Sequence, residues 1–404
     1  MSSPISILLT DTSRWPEGAR LALALSRAGC EVSCVCPARG HPLTKVRTLQ
    51  QSLVYSPLRP VDSLAAAITS VDPCLIIPCD ERSVHHLHEL HARAREGRFA
   101  ARLADTIERS LGSPESYRIV RDRFSLMQIS VEEGVRVPTT QRLGSLEDLA
   151  QWQAGRTPPY VLKADGTAGG YGIRIAHNSN EAEKHFWRLK RLLGTPRVFK
   201  RFIVNGDAFW LRPWWQRSAP TLIVQSYIDG QPANCAVVCR EGRVLAGIAV
   251  QVVYTPGPTE PASVVRIIEN AEMMLAAERI ARRLQISGFF GLDFIIESKT
   301  GDPYLIEMNP RITQQCHLRL GGRRDLVGAL LQEFYQQNVE IAPVTHNDMI
   351  AYFPQAWAVK NEVLRSSFQD IPTEEPELIR ELLNPWVDRR LLARVFGYLY
   401  RARG

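Results

Sequence analysis

The stretch Tyr304-Leu-Ile-Glu-Met-Asn-Pro-Arg311 decides how the chain is read. Core-type residues run straight into Glu307, Asn309 and Arg311, which alternate with Met308 and Pro310. On an extended backbone these three polar groups share one face. The preceding segment, "GLDFIIESKTGDP", is a second strand-like run ending in turn residues. A symmetric hairpin with Glu297 opposite Pro303 would place Asp293 opposite Glu307, with Asn309 two residues further along that face. Facing carboxylates repel unless something positive lies between them. Hard divalent cations take oxygen ligands, and Mg²⁺ combines one or two carboxylates with phosphate oxygens. Asp293, Glu307 and Asn309 therefore form a candidate magnesium face, with Arg311 at its end for a phosphate or a carboxylate substrate. A partly solvated hairpin whose acids pair with nearby arginines is the competing reading of this segment alone.

Working outward, "VLKADGTAGGYGIR" sets Lys163 at the end of an apolar strand, ahead of Gly166, Gly169, Gly170 and Gly172. Glycines let backbone amides close around phosphate oxygens, and a lysine supplies compensating charge. The lysine precedes the glycines, so this is not the nucleotide loop in which Lys-Ser/Thr follows them. Together with a downstream magnesium face the loop reads as a nucleotide site.

These segments resemble the ATP-grasp superfamily, in the branch of the carbamoyl phosphate synthetase large chain and biotin carboxylase. The resemblance covers roughly 116–330. It implies an α/β chain of α+β ATP-grasp type, in which an N-terminal parallel α/β domain precedes an ATP-grasp fold with a glycine-rich lid. The implied division is 1–115, a Rossmann-like pre-ATP-grasp domain; 116–335, the ATP-grasp domain, with a lid over about 150–224 and a metal-binding part over about 225–335; and 336–404, an extension. By the same resemblance Asp293, Glu307 and Asn309 bind Mg²⁺ (or Mn²⁺), and Arg311 contacts phosphate. Lys163, Arg123 and the Gly169-Gly170 loop belong to the ATP phosphates. "IVQSYI" is similar to the adenine-gripping hinge, with Gln225, Tyr227 and Ile228 as its candidates. An acid usually follows to bind ribose, whereas this chain has Asn234, an amide that can still bond a hydroxyl. "PCDER" is similar to an acidic strand end of the preceding domain, with Asp80 and Glu81 facing the active site.

The implied reaction is ligation. A substrate carboxylate takes the γ-phosphoryl group, and an amine or other nucleophile displaces phosphate, with ADP and phosphate released. Such chemistry needs positioning and charge neutralisation more than a proton-transfer residue. A phosphotransferase on the same nucleotide site and a non-catalytic ATP-binding regulator are the alternatives. The two acceptor substrates are not legible. Arg266, beside the loop "TPGPTEP", is a candidate carboxylate ligand, and "TQQCHLRLGG" is a candidate lining of the second pocket. Cys316 and His317 are neighbours on one segment and diverge, which argues against a nucleophilic pair.

The bulk composition agrees. A chain of 404 residues, 45% hydrophobic and 23% charged, is that of an ordinary globular protein. No apolar run approaches a membrane span, and the N-terminus reads as a first strand rather than a signal peptide, so the expected location is cytoplasmic. The net charge of +7 rests on arginine, for only seven lysines are present. It suits an anionic ligand, and no module for nucleic acid accompanies it. Eight scattered cysteines match no zinc pattern and are expected reduced and mostly buried.

The early segments "ISILLT", "EVSCVCP", an Ala-rich helix near 63–70, "CLIIPCD" and a His-rich helix alternate strand with helix. "HHLHELH" raises a metal face in which His88 stands beside His85 or His91, against a solvated helix face. "CAVVCREGRVLAGIAVQVVY" reads as a hairpin about Glu241-Gly242, and Val264–Leu284 as one long amphipathic helix. The basic amphipathic segment from Trp386 onward is expected to dock as a terminal helix, with peripheral membrane attachment as the lesser reading. A homodimer is the default expectation for the assembly.

Overall fold

The computed structural model describes residues 4–37, 40–165, 172–191, 220–257, 261–335, 342–357 and 362–383. The segment from Trp386, Gly169 and Gly170 lie outside them. The described chain groups into two compact units, one formed chiefly by 1–55, 60–138 and 228–381, the other chiefly by 139–227.

The first unit opens with a parallel sheet. Strands β1 (Ser6–Thr10), β2 (Glu31–Cys36), β3 (Ser52–Val54) and β4 (Leu75–Pro78) stand in the order β3-β2-β1-β4. Their residues are apolar on both faces because helices cover both: Ile7, Leu8, Leu9 and Val32 are fully buried. Helix α1 (Glu17–Arg27) starts after Pro16, α2 (Pro60–Val71) carries the Ala-rich run, and α3 (Glu81–Arg95) is capped by Asp80, whose side chain accepts from the Ser83 amide. Helix α4 (Ala101–Leu111) completes this layer, with Leu103, Ala104 and Ile107 in its core.

The same unit contains a seven-stranded sheet, ordered β13-β12-β9-β10-β11-β14-β15. Its strands are β9 (Gly230–Arg240), β10 (Arg243–Tyr254), β11 (Val264–Ile268), β12 (Gly288–Glu297), β13 (Pro303–Asn309), β14 (Met349–Tyr352) and β15 (Phe368–Asp370). All neighbours are antiparallel except β14 and β15. Helices α5 (Arg123–Glu132) and Ala271–Leu284 cover one face, burying Leu126, Met127, Met273, Ala277 and Ile280 against Cys235, Val237, Phe290, Leu292 and Leu305. The β9–β10 hairpin turns at Glu241-Gly242, as expected. Both residues have positive φ, 49° and 77°, the twist-matched form of a two-residue turn.

The expected long helix over Val264–Leu284 is corrected: its first part is β11, and the helix begins only after Asn270. Val264, Val265, Ile267 and Ile268 are β-branched and pair with β10 and β14, while the Asn270 side chain accepts from the Met273 amide and starts the helix there.

The second unit is an antiparallel sheet, β5-β8-β6-β7, of Thr140–Leu143, Leu222–Ser226, Tyr160–Ala164 and Ile173–Ala176. Helices α6 (Leu146–Gln153) and α7 (Ser179–Lys190) pack Trp152, Phe186 and Leu189 against it.

Candidate active site

The carboxylate row forms on β12 and β13, by a different register from the one expected. Ile296, not Glu297, lies opposite Pro303, and a bulge at Ile306 between the Phe294–Leu305 and Asp293–Glu307 pairs restores the shift. Asp293 therefore faces Glu307 across the strands, and Asn309 faces Gly291. On the other side of β12, Asn234 of β9 lies opposite Asp293. Asn234 Nδ2 donates to Asp293 Oδ1 at 2.5 Å, and Asn309 Nδ2 donates to Asp293 Oδ2 at 2.9 Å. Gln315 Nε2 in turn donates to Asn234 Oδ1, so both ends of the Asn234 amide are engaged. Burial, and then the neighbouring Glu307 charge, push the Asp293 carboxyl above its ordinary range.

Two arginines bracket this row. Arg123, the first residue of α5, donates from Nη2 to Glu307 Oε1 at 2.5 Å. Arg311, just past the end of β13, donates from Nε to Glu81 Oε1 at 3.0 Å, from Nη1 to the Ile312 carbonyl and from Nη2 to Asn309 Oδ1 at 3.4 Å. Its side chain is 24% exposed, and Glu81, Glu17 and Asp293 together hold its pKa above the ordinary value. Of the acidic strand end, Glu81 does face Arg311. Asp80 instead holds the loop after β1, accepting from the Thr12 and Ser13 amides and hydroxyls.

The donor set suits a hard cation: two carboxylates and an amide oxygen, without sulfur or imidazole. Asp293, Glu307 and Asn309 are the residues that would hold it, and Asn309 turns its nitrogen to Asp293, leaving Oδ1 toward Arg311.

In the second unit Lys163 lies near the end of β6, 3% exposed, opposite Ile173 and Ile223. Gln225 on β8 is buried and donates from Nε2 to Thr140 Oγ1 at 3.0 Å. Tyr227 is 40% exposed, and Ile228 follows at the start of the first unit's third segment.

Other candidates resolve differently. Arg266, on β11, reaches Asp348 at 3.6 Å. Cys316 and His317 do diverge: the thiol accepts from the Thr313 amide and burial pushes it up to about 11, whereas His317 pairs with Asp370 at 2.7 Å. The His-rich helix is not a solvated face. His86, His88 and His91 are buried, His88 stacks on Tyr117 at 3.8 Å and His91 meets Glu108 at 2.6 Å. The possible ligand atoms that group within 4.8 Å of one another among the described residues are those of His85, His86 and Glu89, rather than His88 with His85 or His91. Seven of the eight cysteines are buried and all are free thiols.

Asn234 and Gln315 are the members of this arrangement that local spacing conceals. Asn234 and Asp293 are 59 residues apart, and only the pairing of β9 with β12 brings them together.

Residues 120–315 match the profile of the ATP-grasp domain. The chain carries an ATP-grasp domain. Curated relatives include the carbamoyl phosphate synthase large chain of Thermus thermophilus, 25% identical over 206 residues, which are 50% of this chain and 18% of that one. The Xylella fastidiosa enzyme of the same name is 24% identical over 275 residues, 66% of this chain and 24% of the other. The chain thus spans about a fifth to a quarter of the length of these relatives. Among solved structures, the L-amino acid ligase of Bacillus licheniformis superposes with a TM-score of 0.58 at 14% identity, covering 85% of this chain and 80% of that one. An ADP complex of N5-carboxyaminoimidazole ribonucleotide synthetase gives 0.56 at 13%, covering 80% and 75%. These likenesses extend the ATP-grasp resemblance from the matched domain to the N-terminal parallel sheet, as a likeness of fold. No helix among the described residues is long and apolar enough to cross a membrane.

Proposed function

We propose that the chain is an ATP- and magnesium-dependent ligase joining a small-molecule or amino-acid carboxylate to an amine or similar nucleophile, with ADP and phosphate as products. The observation that carries this reading is the all-oxygen row of Asp293, Glu307 and Asn309, flanked by Arg123 and Arg311, within an ATP-grasp domain. The activities named for the structural neighbours, an L-amino acid ligase and a ribonucleotide synthetase bound to ADP, fit it. The division into 1–115, 116–335 and 336–404 belongs to the same proposal.

Magnesium on that row supplies positive charge against the phosphates of ATP. The protein's own groups do the rest. Arg123 leaves Glu307 and turns its charge to the phosphates, while Arg311, held by Glu81, fixes the reacting carboxylate or phosphate end. Lys163 and the loop with Gly169 and Gly170 are assigned to phosphate, Gln225, Tyr227 and Ile228 to adenine, and Asn234 to the ribose side. The substrate carboxylate oxygen attacks the γ-phosphorus, ADP leaves, and the amine then attacks the acyl carbon with loss of phosphate. Nothing in this sequence demands a side-chain nucleophile, and the buried, protonated Cys316 supplies none.

The test is purified protein with Mg-ATP, pooled amino acids and small carboxylates, and hydroxylamine as a surrogate nucleophile. Free phosphate together with hydroxamate, both reduced about a hundredfold or more in Glu307→Ala, is the expected result. ADP with a stable phosphorylated product would replace ligation by phosphotransfer.

A further inference from the structure

The segment that follows Arg311 is laid against the face that carries the magnesium row. Gly291 and Asp293 point the same way from β12, and a β-carbon at Gly291 would meet Thr313 Cγ2 at 2.5 Å. The absent side chain is what lets 313–316 lie over the sheet beside the row. The segment is fixed there: Ile312 and Cys316 are buried, the Thr313 amide donates to Cys316 Sγ at 3.2 Å, and the Cys316 amide donates to the Thr313 carbonyl at 3.1 Å. Gln315, 3% exposed, reaches from this turn to Asn234.

The result is a relay of side-chain amides with a single polarity. An ionised carboxylate only accepts hydrogen bonds. Asp293 takes one N–H on each oxygen, from Asn234 at 2.5 Å and from Asn309 at 2.9 Å. Asn234 must therefore turn Nδ2 to Asp293 and Oδ1 away from it, and Gln315 Nε2 donates to that Oδ1. An amide is nearly the same shape either way round, so only its hydrogen bonds choose the orientation. Turned over, Asn234 would set its oxygen against Asp293 Oδ1, and the carboxylate would lose one of its two amide donors.

We propose that Gln315 is a positioning residue for the magnesium row: acting through Asn234, it holds the Asp293 carboxylate in the orientation that receives the cation. This deepens the ligase reading and rests on its metal row. Partners that orient a ligating carboxylate from behind are typically worth about 10–100-fold in metal affinity. Gln315 supplies this at two removes, as the donor that sets which end of Asn234 meets Asp293. An amide offers two N–H groups and two oxygen lone pairs, so Asn234 can serve the ribose side as well.

The experiment measures Mn²⁺ binding to the full chain with saturating ADP, from the loss of the free-ion electron paramagnetic resonance signal. Gln315→Met keeps the length and removes the donor, so Mn²⁺ affinity should fall about tenfold or more. Asn234→Ala should give a similar fall, and adding Gln315→Met to it should cost little further, because Gln315 acts through Asn234. A merely structural role would lower the melting temperature without that coupling. Gly291→Ala is the second route if Gln315→Met does not fold: the new methyl displaces Thr313 and Gln315 and weakens Mn²⁺ binding, and Thr313→Ser, which lacks the opposing methyl, restores it. Wild-type affinity in Gln315→Met, full additivity with Asn234→Ala, or a Gly291→Ala chain that binds normally or is not restored overturns the positioning role and leaves the ligase reading standing. Wild-type protein that binds no Mn²⁺ with ADP overturns both. The expected coupling without ATP-dependent phosphate release from the pooled substrates overturns the ligase reading alone.

Discussion

Glu17 shows how a single carboxyl sets the sign of a pH response. Its pKa rises from an ordinary 4.5 to about 7 on folding, so between those values the folded chain binds more protons than the unfolded one. A raised carboxyl therefore contributes stability that is fully present below the unfolded value and lost as pH climbs to the folded one. At 1.36 kcal/mol per unit the loss is roughly 3 kcal/mol by pH 8. Asp11, raised to about 6, adds a slope of the same sign. Glu17→Gln keeps the shape and removes the charge, so it should raise the melting temperature at pH 8 by about 5 °C or more and change it little at pH 4.5. Thermal melts across pH 4.5–8 check this. A flat wild-type profile with no gain in the variant would remove the buried Glu17 carboxyl as an explanation.

At the scale of elements, the site is made by strand pairing, and that is also where the sequence stopped being legible. The alternation of Glu307, Asn309 and Arg311, the turn residues of "SKTGDP" and the apolar strand before Lys163 carry their meaning within a few residues. They led to the hairpin, to the Asp293–Glu307 pair and to the family resemblance. The bulge at Ile306 lies between two neighbours in the ladder and leaves no mark in a period-two pattern. The Asn234–Asp293 contact depends on β9 lying beside β12, which no local rule supplies. The helix over Val264–Leu284 failed for a related reason: β-branched residues fit either period until β10 and β14 are present to pair with them. The buried histidines of α3 were missed because Tyr117, which covers His88, comes 29 positions later.

The row itself yields two tests. Asn234→Asp places a third carboxylate beside Asp293 and Glu307 and removes the Nδ2 donor. It should destabilise the metal-free chain by about 1 kcal/mol or more and enlarge the stabilisation gained on adding Mg²⁺. Melts with and without Mg²⁺ decide it, and an unchanged magnesium response would detach Asn234 from the cation face. In the β9–β10 turn, Gly242→Ala meets both positive φ and the Arg282 backbone at 3.1 Å, so a loss of about 1–2 kcal/mol in chemical denaturation is expected. That turn lies far along β9 from Asn234, and Mg-ATP binding should be retained.

At the scale of the whole molecule, the first unit is tied together by charges drawn from distant parts of the chain. Arg20 of α1 pairs with Asp370 of β15, 350 residues away, and His317, from the segment after the magnesium row, pairs with the other oxygen of Asp370 at 2.7 Å. Asp370 is 5% exposed, and the His317 and Arg20 charges hold its carboxyl below the ordinary range against the opposing effect of burial. A depressed carboxyl contributes stability that is present above its unfolded pKa and lost as pH falls through the folded one. This slope opposes that of Glu17 and Asp11 and acts at lower pH, so the wild-type profile should peak on the acid side of neutrality. Asp370→Asn removes the charge opposite Arg20 and leaves Arg20 buried without its counter-ion, at a cost of about 3–5 kcal/mol near neutrality. The variant should also lose less stability than wild type as pH falls below 4, because the proton it would have bound is gone. If Glu17 and Asp370 act independently, combining Glu17→Gln with Asp370→Asn should give additive shifts at pH 8. A double variant that departs from additivity by more than about 0.5 kcal/mol would mean that the buried Glu17 and the β15 anchor form one electrostatic system.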